Sequence, residues 1–296
     1  MIIWGMVGNS HDASIAVFKD MKLQKVYTSQ DRVHSDELIA KASHTNMAGP
    51  DLVVWYEKPF KKAMRQLYAG QPKPFSRNRV KKYLRKLGIA APVKYVSHHL
   101  AHAAHYYNSW FTDATIIVID SIGEWDTTTI WQAQGDILKK RYSTRYPDSL
   151  GLFYSSFTKR CGLTPQKDES KIDQWEGYVD PIVKKAIEDD FIIPHKWKPM
   201  FTVNMHRGIG NWRSTFTPEE IAPAAQQVFE DLVMKVSDYA YSKLPSTNLV
   251  LSGGCAFNKS IRDKLNKKWN KVYYPTNPGD AGSAETCVLA HLRNLQ

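Results

Sequence analysis

The sequence predicts an α/β protein of two lobes that share one duplicated plan, and three observations lead there. A strand, a polar loop and a two-stranded hairpin occur near the N-terminus and recur roughly 110 residues later, the mark of an internal repeat. Short β-branched runs alternate with apolar residues at helical spacing, the pattern of mixed α/β layers. A chain of 296 residues can bury one large core or two modest ones, and no stretch reads as a flexible linker, so the lobes are expected to pack together.

Taken in order, residues 2–7 read as a strand that breaks into Gly8-Asn9-Ser10-His11-Asp12-Ala13-Ser14. Residues 15–18 and 23–28 form two more strands around the turn Lys19-Asp20-Met21-Lys22. Residues 60–67 and 80–87 read as surface helices on either side of a Pro/Gly break at 70–74. The second unit repeats the first: strand 116–119, loop 120–126, strand 127–132, a turn at Gly135-Asp136, and strand 138–142. Leu152, Phe153, Phe157 and Cys161 recur at helical spacing in a core helix, and another helix covers 181–190. Residues 191–216 are irregular and rich in Trp and Pro. Thr217-Pro218-Glu219-Glu220 starts the next helix with a hydroxyl N-cap, Pro at the first position and acids in the first turn; Pro245 ends it. Residues 248–252 are a strand that runs into Gly253-Gly254 and then a helix from Lys259. The lobes are therefore expected at 1–112 and 113–296.

Two places carry chemistry. His98 and His102 are four apart, so on a helix over 98–107 they stand on one face, and Asp120 closes the buried strand Ile-Ile-Val-Ile. Two imidazoles and a strand-end carboxylate suit a divalent transition metal, although a single His-x-x-x-His pair is more often ordinary helix. Asp280, just before the last helix, is placed to add a fourth ligand, to cap that helix, or both. Adjacent glycines at Gly253 and Gly254, between a strand and a helix, let backbone N–H groups come close to a phosphate or nucleoside.

The net charge of +11 is concentrated: nine Lys or Arg lie between Lys58 and Lys86 with no acid among them, interleaved with Tyr68, Phe75 and Tyr83. Such a stripe suits a polyanion, with cations on phosphates and rings for stacking; its bland alternative is a solvated basic helix face. No apolar run reaches transmembrane length and the opening residues are too few for a signal peptide, so no membrane partner is expected. Cys161, Cys255 and Cys287 are odd in number and lack metal-type spacing, which fits a reducing cytoplasm.

Several motifs then occur in a recognisable order: His11-Asp12-Ala13-Ser14, Tyr56-Glu57-Lys58-Pro59, His98-His99-Leu100-Ala101-His102-Ala103-Ala104, and Asp120 with Gly123-Glu124-Trp125. Ser149-Leu150-Gly151-Leu152-Phe153-Tyr154, Phe157-Thr158, Leu251-Ser252-Gly253-Gly254, Asn258 and Gly279-Asp280-Ala281-Gly282 follow. In these the chain resembles the transferase domain of the O-carbamoyltransferase family, which includes nodulation-factor, cephalosporin and tobramycin carbamoyltransferases. That family is similar to the tRNA threonylcarbamoyladenosine transferase and, more distantly, to the actin, sugar-kinase and chaperone-ATPase fold. The resemblance implies a metal site at His98, His102, Asp120 and Asp280, with Fe²⁺ favoured over Zn²⁺ or Mn²⁺. It implies a cleft for carbamoyl-adenylate, made from carbamoyl phosphate and ATP, with Gly123, Gly253, Gly254 and Asn258 lining the nucleotide. An imidazole has the right proton affinity to take the acceptor's proton, which makes His11 the candidate general base, with Asp12 orienting it or the acceptor. Lys171, in Glu169-Ser170-Lys171, is expected to hold phosphate or the developing anion, or else to be a surface charge.

Two departures from the family shape the expected acceptor. The family's Lys-x-Met-Gly-Leu-Ala-Pro-Tyr-Gly stretch is Lys171-Ile172-Asp173-Gln174-Trp175-Glu176-Gly177-Tyr178-Val179 here, acidic and aromatic instead of small and apolar. The chain ends one helix after Gly279-Asp280-Ala281-Gly282, so the donor is expected from a separate protein such as a carbamoyl-adenylate synthase, or carbamoyl phosphate is used in some other way. The basic stripe favours DNA as acceptor, most simply at 5-hydroxymethylcytosine, with Trp125, Trp175, Trp212 and Tyr178 available to stack on an extruded base, as in a bacteriophage modification system. The alternatives are a sugar, nucleotide or antibiotic hydroxyl, or a non-catalytic nucleotide-binding scaffold of a nucleic-acid-modifying complex. A kinase or ATP hydrolase is disfavoured because Mg²⁺ prefers an all-oxygen shell.

Overall fold

The computed structural model describes residues 1–8, 12–29, 35–44, 49–71 and 79–293. Strands β1 (Ile2–Val7), β2 (Ser14–Lys19) and β3 (Lys22–Thr28) form an antiparallel meander. The β2–β3 turn places Asp20 and Met21 in the left-handed region, at φ 50° and 63°. Helix α1 (Ser35–His44) leads to β4 (Leu52–Trp55), parallel to β1. Helices α2 (Pro59–Tyr68) and α3 (Arg79–Lys86) precede β5 (Val93–Tyr95), parallel to β4. The sheet order is β3-β2-β1-β4-β5.

The second sheet repeats that connectivity. After α4 (His98–Ala103) come β6 (Asp113–Ile119), β7 (Asp126–Gln134) and β8 (Ile137–Arg145), again an antiparallel meander. Helices α5 (Leu150–Arg160), α6 (Glu169–Asp173) and α7 (Pro181–Phe191) follow, then a ribbon of β9 (Ile192–Ile193) and β10 (Met200–Phe201), then the long α8 (Pro218–Lys243). Strand β11 (Asn248–Ser252) runs parallel to β6, and past α9 (Lys259–Lys268) β12 (Lys271–Tyr273) runs parallel to β11. The order β12-β11-β6-β7-β8 matches the first sheet strand for strand. The repeat read from the sequence is therefore a repeat of topology as well as of hairpins.

Local chemistry sets several boundaries. Glu220 accepts a hydrogen bond from the Thr217 backbone N–H at 2.7 Å, closing the start of α8. The histidine helix is shorter than its spacing predicts: α4 stops at Ala103 and tightens into a 3₁₀ turn over Ala104–Asn108. Helix α2 is inverted, burying Arg65 and Gln66 while Met64, Leu67 and Tyr68 face out. A polar cavity behind it explains the inversion.

Helices α5, α7 and α8 cover the second sheet with a core that includes Phe153, Phe157, Ile187, Phe229 and Val233. Helix α10 (Ser283–Arg293) does not stay with them. It crosses back, and Ala284, Cys287 and Val288 join Ile3, Met6 and Val53 in the first lobe's core. The expected division at 112/113 separates the two sheets, but the chain's last helix belongs with the first. Crossing is possible because β1 carries glycine where α10 meets it: a Cβ on Gly5 would lie 1.8 Å from the Ala284 carbonyl oxygen. No helix among the described residues is long and apolar enough to cross a membrane.

Replacing Gly5 with Ala forces strand and helix apart, and is expected to destabilise the fold by about 2–4 kcal/mol. Chemical denaturation checks this, and an unchanged midpoint would refute the close contact of α10 with β1.

Candidate metal centre and active-site cleft

Three separated segments build the centre. His98 and His102 come from α4, Asp120 from the end of β6, and Asp280 from the 3₁₀ turn before α10. Each is fixed from behind. The buried Glu124 carboxylate accepts hydrogen bonds from the backbone N–H of His98 at 3.1 Å and of Lys58 at 2.7 Å, so one acid serves the starts of both α4 and α2. Ser252 donates to the His102 carbonyl at 3.0 Å, and Ser14 donates to the Ala281 carbonyl at 2.6 Å, tying the first sheet to the Asp280 turn.

The donor atoms converge. His98 Nε2 lies 2.8 Å from Asp120 Oδ2, 3.1 Å from His102 Nε2 and 3.4 Å from Asp280 Oδ1. His102 Nε2 lies 3.3 Å from Asp280 Oδ1 and 3.9 Å from Asp120 Oδ2, and all four donors fall within 4.8 Å of one another. Tetrahedral N/O ligation at about 2.0–2.1 Å requires donors about 3.4 Å apart, so the set fits a transition ion. The tautomers agree. Ser283 Oγ sits 3.4 Å from His102 Nδ1; with Nδ1–H donating to that hydroxyl, the Nε2 lone pair faces inward. His98 Nδ1 is buried without a partner among the described residues, and Nε2 is its single engaged nitrogen.

Opposite charges face one another across this cluster. Burial alone lowers the proton affinity of His98, but Asp280 and Asp120 outweigh it and hold its pKa up at about 9. Burial raises the two carboxylates, and the facing imidazoles more than reverse this, leaving both below the usual range. His99 behaves differently: buried and beside His98, it is pushed down to about 3, and its Nδ1 pairs with Thr129 Oγ1 at 2.9 Å. It is a structural histidine, not a ligand.

A cavity of about 760 Å³ opens on this cluster. His98, Asp120 and Asp280 line one part, and Gly254, Asn258 and Tyr154 line the next. Gly254 N–H donates to Asp120 Oδ1 at 3.3 Å. Asn258 caps α9 by accepting from Ile261 N–H at 3.0 Å, while its amide reaches Gln226 at 3.1 Å and Tyr154 at 3.3 Å. Burial pushes the Tyr154 phenol up, so it stays protonated and donates to Gln226 at 2.6 Å.

Other expected residues sit elsewhere. Gly123 and Gly253 are buried and do not line the cavity; both are demanded by packing. A Cβ on Gly123 would meet His99 Cδ2 at 2.8 Å, and one on Gly253, whose φ is 90°, would meet the Ile119 carbonyl oxygen at 2.2 Å. Lys171 is 61% exposed and paired with Asp168 at 3.0 Å, the outcome its surface reading describes. Its neighbours Lys167 and Glu169 line the cavity instead. Asp12 lines the cavity with φ 60°; His11 lies outside the described residues.

The basic stripe divides. Lys81, Lys82, Arg85 and Lys86 face solvent on α3, whereas Lys62 and Arg65 turn into the cavity. Tyr83 packs edge-on against Trp55 at 6.1 Å, and Lys73, Phe75 and Arg77 lie outside the described residues. Of the four rings expected to stack on a base, Trp212 and Trp175 pack against the second core, leaving Trp125 half-buried and Tyr178 exposed. Asp173, in the divergent segment, lines the cavity and accepts from Lys259 N–H at 2.8 Å and Ser260 Oγ at 2.9 Å, fastening that segment to α9. Arg65, Gln71 and His206 also line the cavity and were not singled out from the sequence.

Residues 52–288 match the family model described as Carbamoyltransferase N-terminus. Uncharacterized protein sll1178 of Synechocystis is 28% identical, over 81% of this chain and 47% of its own length. Uncharacterized protein MJ1058 of Methanocaldococcus jannaschii is 27% identical, over 71% of this chain and 39% of its own. The chain thus spans less than half the length of these curated relatives. Full-length HypF in its phosphate- and nucleotide-bound form shares the fold at a TM-score of 0.59 and 12% identity, over 100% of this chain and 47% of HypF. Component A of the (R)-2-hydroxyglutaryl-CoA dehydratase of Acidaminococcus fermentans does so at 0.55 and 12%, over 100% of both chains. With a glucokinase of the ROK family from Streptomyces griseus at 0.50, these place the two-lobed fold among the actin-like, sugar-kinase-type folds.

Because an ion must displace the proton that His98 holds below about pH 9, divalent-metal affinity is expected to climb as pH rises towards 9 and then level. Calorimetry in buffers of different ionisation enthalpy reads the released proton. The His98→Ala, His102→Ala double variant is expected to lose stoichiometric metal, and full retention by elemental analysis would refute the assignment.

Proposed function

Because the chain belongs to the carbamoyltransferase N-terminus family, we propose that it transfers a carbamoyl group from carbamoyl-adenylate to an acceptor hydroxyl. The observation that carries this reading is the shared cavity, in which the two-His, two-Asp cluster and the Gly254–Asn258 wall face one space. The nucleotide lies against Gly254 and Asn258, held in place by the Gln226 and Tyr154 network behind Asn258. His98, His102, Asp120 and Asp280 would hold a divalent ion, Fe²⁺ in our reading, which would supply Lewis-acid polarisation of a phosphate or carbamoyl oxygen.

In the transfer step the acceptor oxygen bonds to the carbamoyl carbon and the bond from that carbon to the adenylate oxygen breaks. AMP leaves with the electron pair. The acceptor's proton passes to a base, for which His11 is the candidate and the cavity-lining Asp12 its neighbour. Carbamoyl phosphate and ATP are the sources of the donor, supplied through a carbamoyl-adenylate synthase.

The acceptor in this reading is 5-hydroxymethylcytosine in DNA. Three features support it: the net charge of +11, the outward cations of α3, and the divergence of the 171–179 segment from the family's small, apolar stretch, with Asp173 of it at the cavity. Such a modification fits a bacteriophage system that acts in the cytoplasm.

Nucleoside mass spectrometry tests the proposal after incubation with carbamoyl phosphate, ATP, Fe²⁺, a carbamoyl-adenylate synthase and hydroxymethylcytosine DNA. A carbamoyl mass gain on the modified base is expected, reduced at least about a hundredfold by Asp120→Asn. A gain on free hydroxymethylated nucleotide alone would move the acceptor from polymer to small molecule, and no gain on either would reject carbamoyl transfer to this base.

A further inference from the structure

One wall of the cavity is not used by the donor chemistry above. Arg65, Gln71 and His206 line it, and all three are organised around Tyr146, a buried ring just behind. The Arg65 guanidinium lies 5.8 Å over the Tyr146 ring, and the His206 ring meets Tyr146 edge-on at 5.8 Å. Gln71 Nε2 lies 3.3 Å from His206 Nε2. Tyr68 continues the array outward: its ring is 6.2 Å from Tyr146, at 85°, and 5.5 Å from Trp125. Tyr68 is also 68% exposed, so much of it faces solvent at the edge of the cleft.

Two features of this wall are open to a ligand. Arg65 is 6% exposed, yet among the described residues no carboxylate pairs with it; its one hydrogen bond is from Nε to the Glu124 carbonyl at 3.4 Å. Glu57, the nearby acid, is already taken by Lys62 at 2.8 Å. Neither Nη is among the buried atoms left without a partner, so the guanidinium opens to the cavity and presents there the fork that suits a phosphate. A tyrosine on the outer face of a helix is ordinary only when isolated. Here it heads a chain of rings that runs into the active-site cavity.

Resting on the DNA-acceptor reading above, we infer that this wall is the acceptor subsite. Arg65 takes a backbone phosphate of a single-stranded or locally opened nucleic acid, and Tyr68 with Trp125 stacks the base next to the one carbamoylated. Rings with an adjacent guanidinium are a nucleotide handle that a sugar or aminoglycoside has no use for. The wall faces the same space as Asp120 and Gly254, so a nucleotide held there offers its neighbouring base to the donor.

The test is equilibrium binding of the full chain to a short single-stranded oligonucleotide carrying one 5-hydroxymethylcytosine, run beside acceptor-free hydrolysis of carbamoyl-adenylate. Tyr68→Ala is expected to weaken oligonucleotide binding roughly tenfold, Tyr68→Trp to restore it, and neither to change donor hydrolysis. Arg65→Gln is expected to lower the salt dependence of binding by about 0.7 in log–log slope, one phosphate's worth. Its thermal unfolding is compared with wild type, while the exposed Tyr68 variants carry no such folding concern. No binding by wild type, or binding unchanged in both Tyr68→Ala and Arg65→Gln, would overturn the inference. So would loss of donor hydrolysis in Arg65→Gln with oligonucleotide binding intact, because Arg65 would then serve the donor. Binding that follows the expected pattern, without transfer in wild type, would keep the subsite and reject the carbamoyl reading alone.

Discussion

Two imidazole nitrogens and two carboxylates gathered within 4.8 Å set the terms for the rest of the cleft. Two buried carboxylates are tolerated here because positive charge faces them, and a proton on His98 supplies part of it. Everything nearby is arranged so that these atoms cannot relax apart. Glu124 anchors the start of α4, Ser252 holds the His102 carbonyl, and Ser14 holds the Asp280 turn against the first sheet. The cluster is also where the lobes meet: α4 connects the two sheets, and the Asp280 turn leads directly into the helix that crosses back.

Close backbone approaches explain why several positions are glycine. Gly5 lets α10 lie on β1, Gly253 lets its loop pass over the end of β6, and Gly123 lets the 120–126 loop close on His98 and His99. None of these three touches the nucleotide wall. Gly254 alone of the expected glycines faces the cavity, with its N–H committed to Asp120. These glycines let backbone come close around the four-donor cluster, while Gly254 and Asn258 are the positions of this group that line the cavity.

The strands, the duplicated meander and the grouping of His98, His102 and Asp120 were legible in the sequence because each is written in local pattern, alternation, turn residues, i/i+4 spacing and a strand-end acid, whereas the full set with Asp280 came from the family resemblance. What was not legible depends on contacts far apart in the chain. The roles of Gly123 and Gly253 follow from what packs against them, which no local window contains. Lys171 has the motif's spacing, but the phase of α6 turns it to solvent and leaves Glu169 and Asp173 at the cavity. Arg65 read as one cation in a surface stripe. The signal that could have singled it out is the inversion of α2, whose apolar Met64 and Leu67 face outward and whose polar Arg65 and Gln66 face inward, a pattern that makes sense only beside a polar cleft. His206, in a Trp- and Pro-rich irregular stretch, carried no periodic signal at all.

The most direct measurement of the centre is X-ray absorption at the iron edge on protein loaded with Fe²⁺. Two imidazole nitrogens together with carboxylate oxygens at about 2.0–2.2 Å are predicted, with the imidazole scattering lost in the His98→Ala, His102→Ala variant. An all-oxygen shell, unchanged by that substitution, would contradict a metal centre at His98, His102, Asp120 and Asp280.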